Sequence, residues 1–274
     1  MYKAELIRLE SDILFNWFHV LFLKSIERLE GESINNSESK FYRQEFIKRF
    51  YEFMVGIQSL SKGSEIYYKG QSNEILLAAP IISNIRSALE VVGLYHFIYS
   101  EKNDTDLTDF YFKCWMHEGY VRRQNLVLMQ DELLEIQRDE ESKMHDLRQD
   151  IQSSRFYDEK LNSKLRSSFT RTGKWFSQSN QELLSNAGIS TKFAKNIYNY
   201  FSMYSHSSSA SFFQTAKADY EKMNEILKTM YWALFISGSI LLSTHIAALP
   251  MLRAGLTEED NHLLESWIIQ GAEM

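Results

Sequence analysis

Residues 230–252 read MYWALFISGSILLSTHIAALPML, a run of 23 residues without Lys, Arg, Asp or Glu, flanked by Lys228 and Arg253. About 20 such residues suffice to cross the hydrocarbon core of a bilayer. Within the run, however, Ser237, Gly238, Ser239, Ser243, Thr244, His245 and Pro250 interrupt the apolar surface, and DYEKMNEILKTM leads into it without a break. A helix that is apolar all round because other helices surround it gives the same pattern. The expectation is therefore an all-α multi-helix bundle built on a central apolar C-terminal helix, with a membrane span disfavoured.

Composition agrees. The chain has 274 residues, enough for a sizeable core, with 44% hydrophobic and 14% aromatic residues beside 24% charged ones. Two prolines and 11 glycines are too few for the many turns of an all-β chain of this length. The net charge of −6 provides no general basic field, so a nucleic-acid site has to be a local patch. Cys114 is the single cysteine, which excludes an intrachain disulfide and a thiolate metal cluster. The opening MYKAELIRLESD lacks the charged-then-apolar pattern of a signal peptide, and a cytoplasmic location is expected.

Working outward, apolar spacing predicts one domain over 1–274, with an N-terminal helical pair over 1–62, a core bundle over 70–252 and a closing helix over 257–272. Leu6, Leu9, Ile13, Trp17, Leu21 and Ile26 mark a first long amphipathic helix ending at Gly31, and FYRQEFIKRFYEFMVGIQSL a second ending near Lys62. Residues 63–79 read either as a short extended piece (EIYY) or as the start of a helix (NEILLAAP). Pro80 suits the first turn of a third helix that runs to residue 100. DTDLTD offers caps for a long fourth helix, apolar-periodic to Ile136 and then strongly charged, which predicts a charged helical projection near 130–160. Gly188 should end a short helix, Ser190 or Thr191 should cap the next, and Thr257 should cap the closing one.

Two constellations carry chemistry. In NIYNYFSMYSHSSSASFF, residues 196–213, Tyr198, Ser202 and His206 are four apart and form one polar row on a helix. Such a row binds an anion, relays a proton, or caps its own helix end. In IRSALE, Arg86 and Glu90 are four apart within an otherwise apolar helix. Charges there must be paired, either as a structural clamp or as an arginine held toward an anionic group with Glu90 fixing its orientation.

An R-x-x-x-E helix followed by a Trp, an NAGIS turn and a Y-x-x-x-S-x-x-x-H helix resembles a widespread bacterial family of all-α proteins of unknown function. The elements here are Arg86 and Glu90, Trp175, residues 186–190, and Tyr198, Ser202 and His206, with Ser207 standing where members often carry Gly or Pro. The resemblance implies that the two helices face one another and gather Arg86, Glu90, Tyr198, Ser202 and His206 into one ligand-binding pocket.

Helical ribonucleases of the HEPN type, found among toxins and phage-defence effectors, carry an R-x(4–6)-H motif in which Arg binds phosphate and His assists attack by the 2′-hydroxyl. The chain matches this spacing at RDEESKMH, Arg138–His145, at a frequency that composition alone supplies by chance. Arg86 with His206 would make a composite catalytic pair. Arg122 and Arg123, near Trp115 and Tyr120, read as a solvated face or a contribution to a nucleic-acid surface. Cys114 reads as a core residue, and His96 and His117–Glu118 lack partners at metal-ligand spacing. P-loop, dinucleotide, H-E-x-x-H, EF-hand and di-iron patterns are absent, and no cofactor is expected.

The leading expectation is a bacterial sensor or adaptor, in stress response or phage defence, that binds an anionic small molecule or protein partner at Arg86, Glu90, Tyr198, Ser202 and His206. The other is a metal-independent HEPN-like endoribonuclease acting on RNA with the same pocket. Long helices and abundant aromatics also suggest a homo-oligomer, in the simplest case a homodimer.

Overall fold

A computed structural model describes residues 2–31, 38–68, 71–75, 78–100, 105–127, 130–205 and 220–274. In chain order the elements are α1 (Tyr2–Gly31), α2 (Glu38–Ser61), β1 (Ser64–Tyr68), β2 (Gln71–Ile75), α3 (Ala78–Tyr99), α4 (Thr105–Gln124), α5 (Asp131–Ser153), α6 (Arg155–Lys160), α7 (Ser163–Thr172), α8 (Asn180–Asn186), α9 (Thr191–Ser205), α10 (Tyr220–Ala248), a 3₁₀ turn (Pro250–Gly255) and α11 (Glu258–Glu273). The all-α bundle is borne out, with one small addition. β1 and β2 form an antiparallel hairpin in which Ser64 pairs with Ile75 and Tyr68 with Gln71, so NEILLAAP begins as a strand rather than a helix.

Sequence patterning gives one domain, whereas the chain groups into two compact units: Met1–Phe97 with Asn180–Met274, and Ile98–Ser179. In the first unit α10 is the centre. Among the described residues one helix, Ile226–Ala248, is long and apolar enough to cross a membrane, and 72% of its most apolar window is buried inside the protein. The reason is aromatic packing. Phe235 of α10 stacks on Phe18 at 5.0 Å and meets Phe15 edge-on at 5.1 Å and Trp267 at 5.8 Å. Phe22 of α1 stacks on Phe50 of α2 at 5.2 Å. Gly238 makes room for these rings, since a Cβ there would lie 3.1–3.2 Å from Phe18 and Phe50.

The buried face of α1 is Phe15, Phe18, Leu21, Phe22 and Ile26, whereas Ile13 is 60% exposed. The apolar spacing read from the sequence thus mixed two faces of one helix. Local signals hold at the other ends. The Thr257 hydroxyl accepts from Asp260 N and the Asp260 carboxylate accepts from Thr257 N, a capping box that starts α11. The indole of Trp17 donates to the same carboxylate at 3.0 Å and ties α1 to α11.

In the second unit the predicted long fourth helix is divided. Asn125 turns its side chain back onto Val121 O at 2.9 Å, and after residues 125–130 α5 folds back along α4. Its charges serve that pairing: Arg123 bonds Glu140 at 2.7 Å and Lys113 bonds Asp150 at 3.2 Å. The charged stretch is helical as expected, but it packs on α4 instead of projecting from the core. Gly173, at φ 72°, ends α7, and a Cβ there would fall 2.9 Å from Glu118 Cα.

Candidate polar site on α3, α8 and α9

α3 places Arg86 and Glu90 one turn apart on one side. Opposite them stands a helical hairpin: α8 ends at Gly188, whose φ of 103° permits the reversal, with Ile189 N donating to Leu184 O at 3.2 Å. Ser190 then caps α9, its hydroxyl accepting from Phe193 N at 3.2 Å. This reversal brings Asn180, at the start of α8, beside Tyr198 of α9. Gly93 lets α8 approach α3, since a Cβ at that position would lie 3.0 Å from Leu183 Cβ.

The groups meet around two oxygens. The Tyr198 hydroxyl accepts from Arg86 Nη2 at 3.1 Å and from Asn180 Nδ2 at 2.6 Å, and it donates to Glu90 Oε1 at 2.7 Å. Glu90 Oε1 also accepts from Asn180 Nδ2 at 3.2 Å and lies 3.2 Å from Arg86 Nε. The guanidinium stands 5.2 Å from the centre of the Tyr198 ring, within cation–π range. Burial disfavours the charge on Arg86, but the bond to Tyr198 and the charge of Glu90 outweigh it and hold the pKa above its ordinary value. Arg86 keeps 21% of its side chain exposed and Glu90 38%, so the cluster borders solvent.

Arg86, Glu90 and Tyr198 are therefore together. Ser202 is half-buried one turn further along α9, and no hydrogen bond joins it to the three. His206 lies outside the described residues, as does Ser207. Asn180 was missed by sequence reasoning, because an Asn at a helix start reads as a simple cap; the signal that could have found it is the short reversal at Gly188, which sets α8 against α9.

The other candidates are used differently. Arg122 bonds Glu118 at 2.6 Å while the second oxygen of Glu118 accepts from the Trp175 indole at 3.0 Å, and Arg123 is held by Glu140, so both arginines are paired with carboxylates. His117 is buried against Phe169, with Arg148 Nε donating to its Nε2 at 3.3 Å; burial and the Arg148 charge lower its pKa to about 4. Burial pushes the Cys114 thiol far above its ordinary range, with Glu118 adding to it, as suits a core residue. Arg138 and His145 are both exposed on α5. His245, buried in α10, bonds the Tyr95 hydroxyl through Nδ1 at 2.8 Å, and burial with the Arg43 charge lowers its pKa to about 3.

A cavity of ≈ 350 Å³ between α9 and α10, lined chiefly by Phe193, Ile197, Phe201 and Met230, has no charged lining residue among the described residues. Among the described residues no three His, Cys, Asp or Glu side chains gather as a metal site. No protein-family model, curated protein or solved structure matches the chain.

Proposed function

We propose that the chain is a sensor or adaptor that receives an anionic group, carried by a small molecule or a protein partner, at the polar site of Arg86, Glu90 and Tyr198. One observation supports this above the rest: a guanidinium kept charged, oriented by Tyr198 and Glu90, and left 21% exposed. An arginine whose fork is fixed in advance loses less freedom on gripping a carboxylate or phosphate than a free surface lysine does. Glu90 sets the guanidinium plane, and Asn180 and Tyr198 supply neutral polar groups beside it. In the sequence Ser202 and His206 follow Tyr198 at intervals of four, and both are counted in the proposed recognition surface. The cytoplasm is the proposed location. The proposed setting is bacterial stress response or phage defence.

The test is a thermal-shift titration with inorganic phosphate and with 5′-AMP. A ligand at a hundred times its Kd stabilises by about 2.7 kcal/mol, so the wild-type Tm is expected to rise by several degrees and the Arg86→Met Tm to stay flat. A flat response in both proteins overturns the anion reading for these probes. Total RNA incubated in EDTA with wild type and with His206→Ala separates the alternative: cleavage that vanishes in the variant assigns HEPN-like ribonuclease chemistry to the site.

A further inference from the structure

A second cavity, of ≈ 430 Å³, lies where the last turns of α10 meet the 3₁₀ turn and α11. Small-molecule sites usually measure about 300–1,000 Å³. Ile246 and Leu264 line it and are buried, and Ser243, Arg253, Asn261 and Glu265 bring polar groups to it. Their placement follows from the elements that carry them. Asn261, Leu264 and Glu265 share one face of α11 at helical spacing, as Ser243 and Ile246 do on α10. Arg253 belongs to a turn whose backbone is held on both sides of it: Arg28 Nη1 donates to Leu252 O at 3.4 Å, and Leu256 N donates to Arg253 O at 3.2 Å.

Asp260, next to Asn261 in the chain, is fully engaged, accepting from the Trp17 indole and from Thr257 N and standing 3.7 Å from Lys24 Nζ. The charges that line the cavity are not. Arg253 and Glu265 are exposed and opposite in sign, yet among the described residues neither side chain makes an ion pair or hydrogen bond, with the other or with any neighbour. The Ser243 hydroxyl has no partner among them either, and Asn261 commits Nδ2 to Thr257 O at 2.9 Å, which leaves its Oδ1 open. We infer that the cavity binds a small zwitterion with an apolar side chain, either a free amino acid or a dipeptide. Arg253 offers its fork to the carboxylate. Glu265 and Asn261 Oδ1 accept from the ammonium, which the C-terminal end of α10 also favours. Ile246 and Leu264 receive the apolar side chain. A ligand with one charge leaves Arg253 or Glu265 facing it without a partner, and that difference is the source of selectivity.

Equilibrium dialysis of the full chain against radiolabelled L-leucine and against radiolabelled Leu-Leu tests this. Wild type is expected to bind at least one of them, and Arg253→Met and Glu265→Gln to bind it about tenfold more weakly or worse. Both side chains are exposed, so the thermal midpoints of the variants should match wild type. Uptake of leucine identifies a free amino acid; uptake of Leu-Leu alone identifies a dipeptide. N-acetyl-L-leucine lacks the ammonium and L-leucinamide the carboxylate, and each is expected to compete about tenfold less well than L-leucine, as their N-acetyl and amide counterparts should against Leu-Leu. No binding of either probe up to about 10 mM overturns the proposal, as does binding that both variants retain. Competition by a singly charged analogue as strong as that of its zwitterion overturns the zwitterion.

Discussion

The Tyr198 hydroxyl donates to Glu90 Oε1 at 2.7 Å, joining α9 to α3 across 108 residues of sequence. Each oxygen also takes a bond from Asn180, so three helices depend on one phenol and one carboxylate. The arrangement is a clamp between helices and, at the same time, the frame that aims Arg86.

Tyr198→Phe removes the hydroxyl and leaves Arg86, Asn180 and Glu90 each short of a partner. The expected loss is about 1–2 kcal/mol, or about 2–4 °C in Tm. In a double-mutant cycle with Glu90→Gln the coupling should be about 1 kcal/mol, kept modest because Glu90 is partly solvated. Additive single losses in urea unfolding would show that the two groups do not act together.

At Gly93 two effects oppose one another. Alanine gains about 1 kcal/mol of helix propensity, while its Cβ meets Leu183 Cβ at 3.0 Å. Gly93→Ala should therefore be close to neutral, whereas Gly93→Val should cost about 1–3 kcal/mol by forcing α8 from α3. Gly93→Val should also weaken the phosphate-induced Tm shift, because Asn180 moves with α8.

Gly238 has no comparable freedom. A Cβ there meets rings of Phe18 and Phe50 at 3.1–3.2 Å, and both rings are fully buried. Gly238→Val should lower the urea midpoint by the equivalent of about 1–3 kcal/mol, through displacement of α1 and α2 from α10.

Acid sensitivity follows from His245. Its folded pKa, about 3, lies below the ordinary 6.5 because burial and Arg43 disfavour the imidazolium. Between those values the unfolded chain binds the proton and the folded chain does not, so stability is complete above pH 6.5 and falls as pH drops toward 3. The slope is about 1.4 kcal/mol per pH unit for one histidine. His245→Gln should unfold more easily at pH 7 but lose less stability between pH 6 and 4 than wild type, as read from urea midpoints. His117, at about 4, adds a similar slope over a shorter window.

Much of this molecule was legible because its signals are local. Gly188 and Thr257 mark helix ends by backbone freedom and by side-chain capping, and both rules operate within four residues. Arg86 and Glu90 stood out because charges in an apolar helix require partners. The break between α4 and α5 was not legible: NLVLMQ contains neither Gly nor Pro, and its apolar spacing runs on to Ile136, although Val127 is 90% and Ile136 54% exposed. What divides the helix is distant pairing, Gln137 with the Arg123 carbonyl and Glu140 with Arg123. Asn180 escaped for the same reason, since its partners lie 18 and 90 residues away.

The division of the chain into Met1–Phe97 with Asn180–Met274 and an inserted Ile98–Ser179 sets an order of events during synthesis. The inserted unit is continuous and is complete when Ser179 has left the ribosome. The other unit waits: Phe15, Phe18 and Phe22 emerge early, and Phe235, which covers two of them, arrives more than 200 residues afterwards. At about 5–20 residues per second, Phe15 and Phe18 wait at least ten seconds or so for Phe235, while Phe22 can meet Phe50 of α2 much sooner.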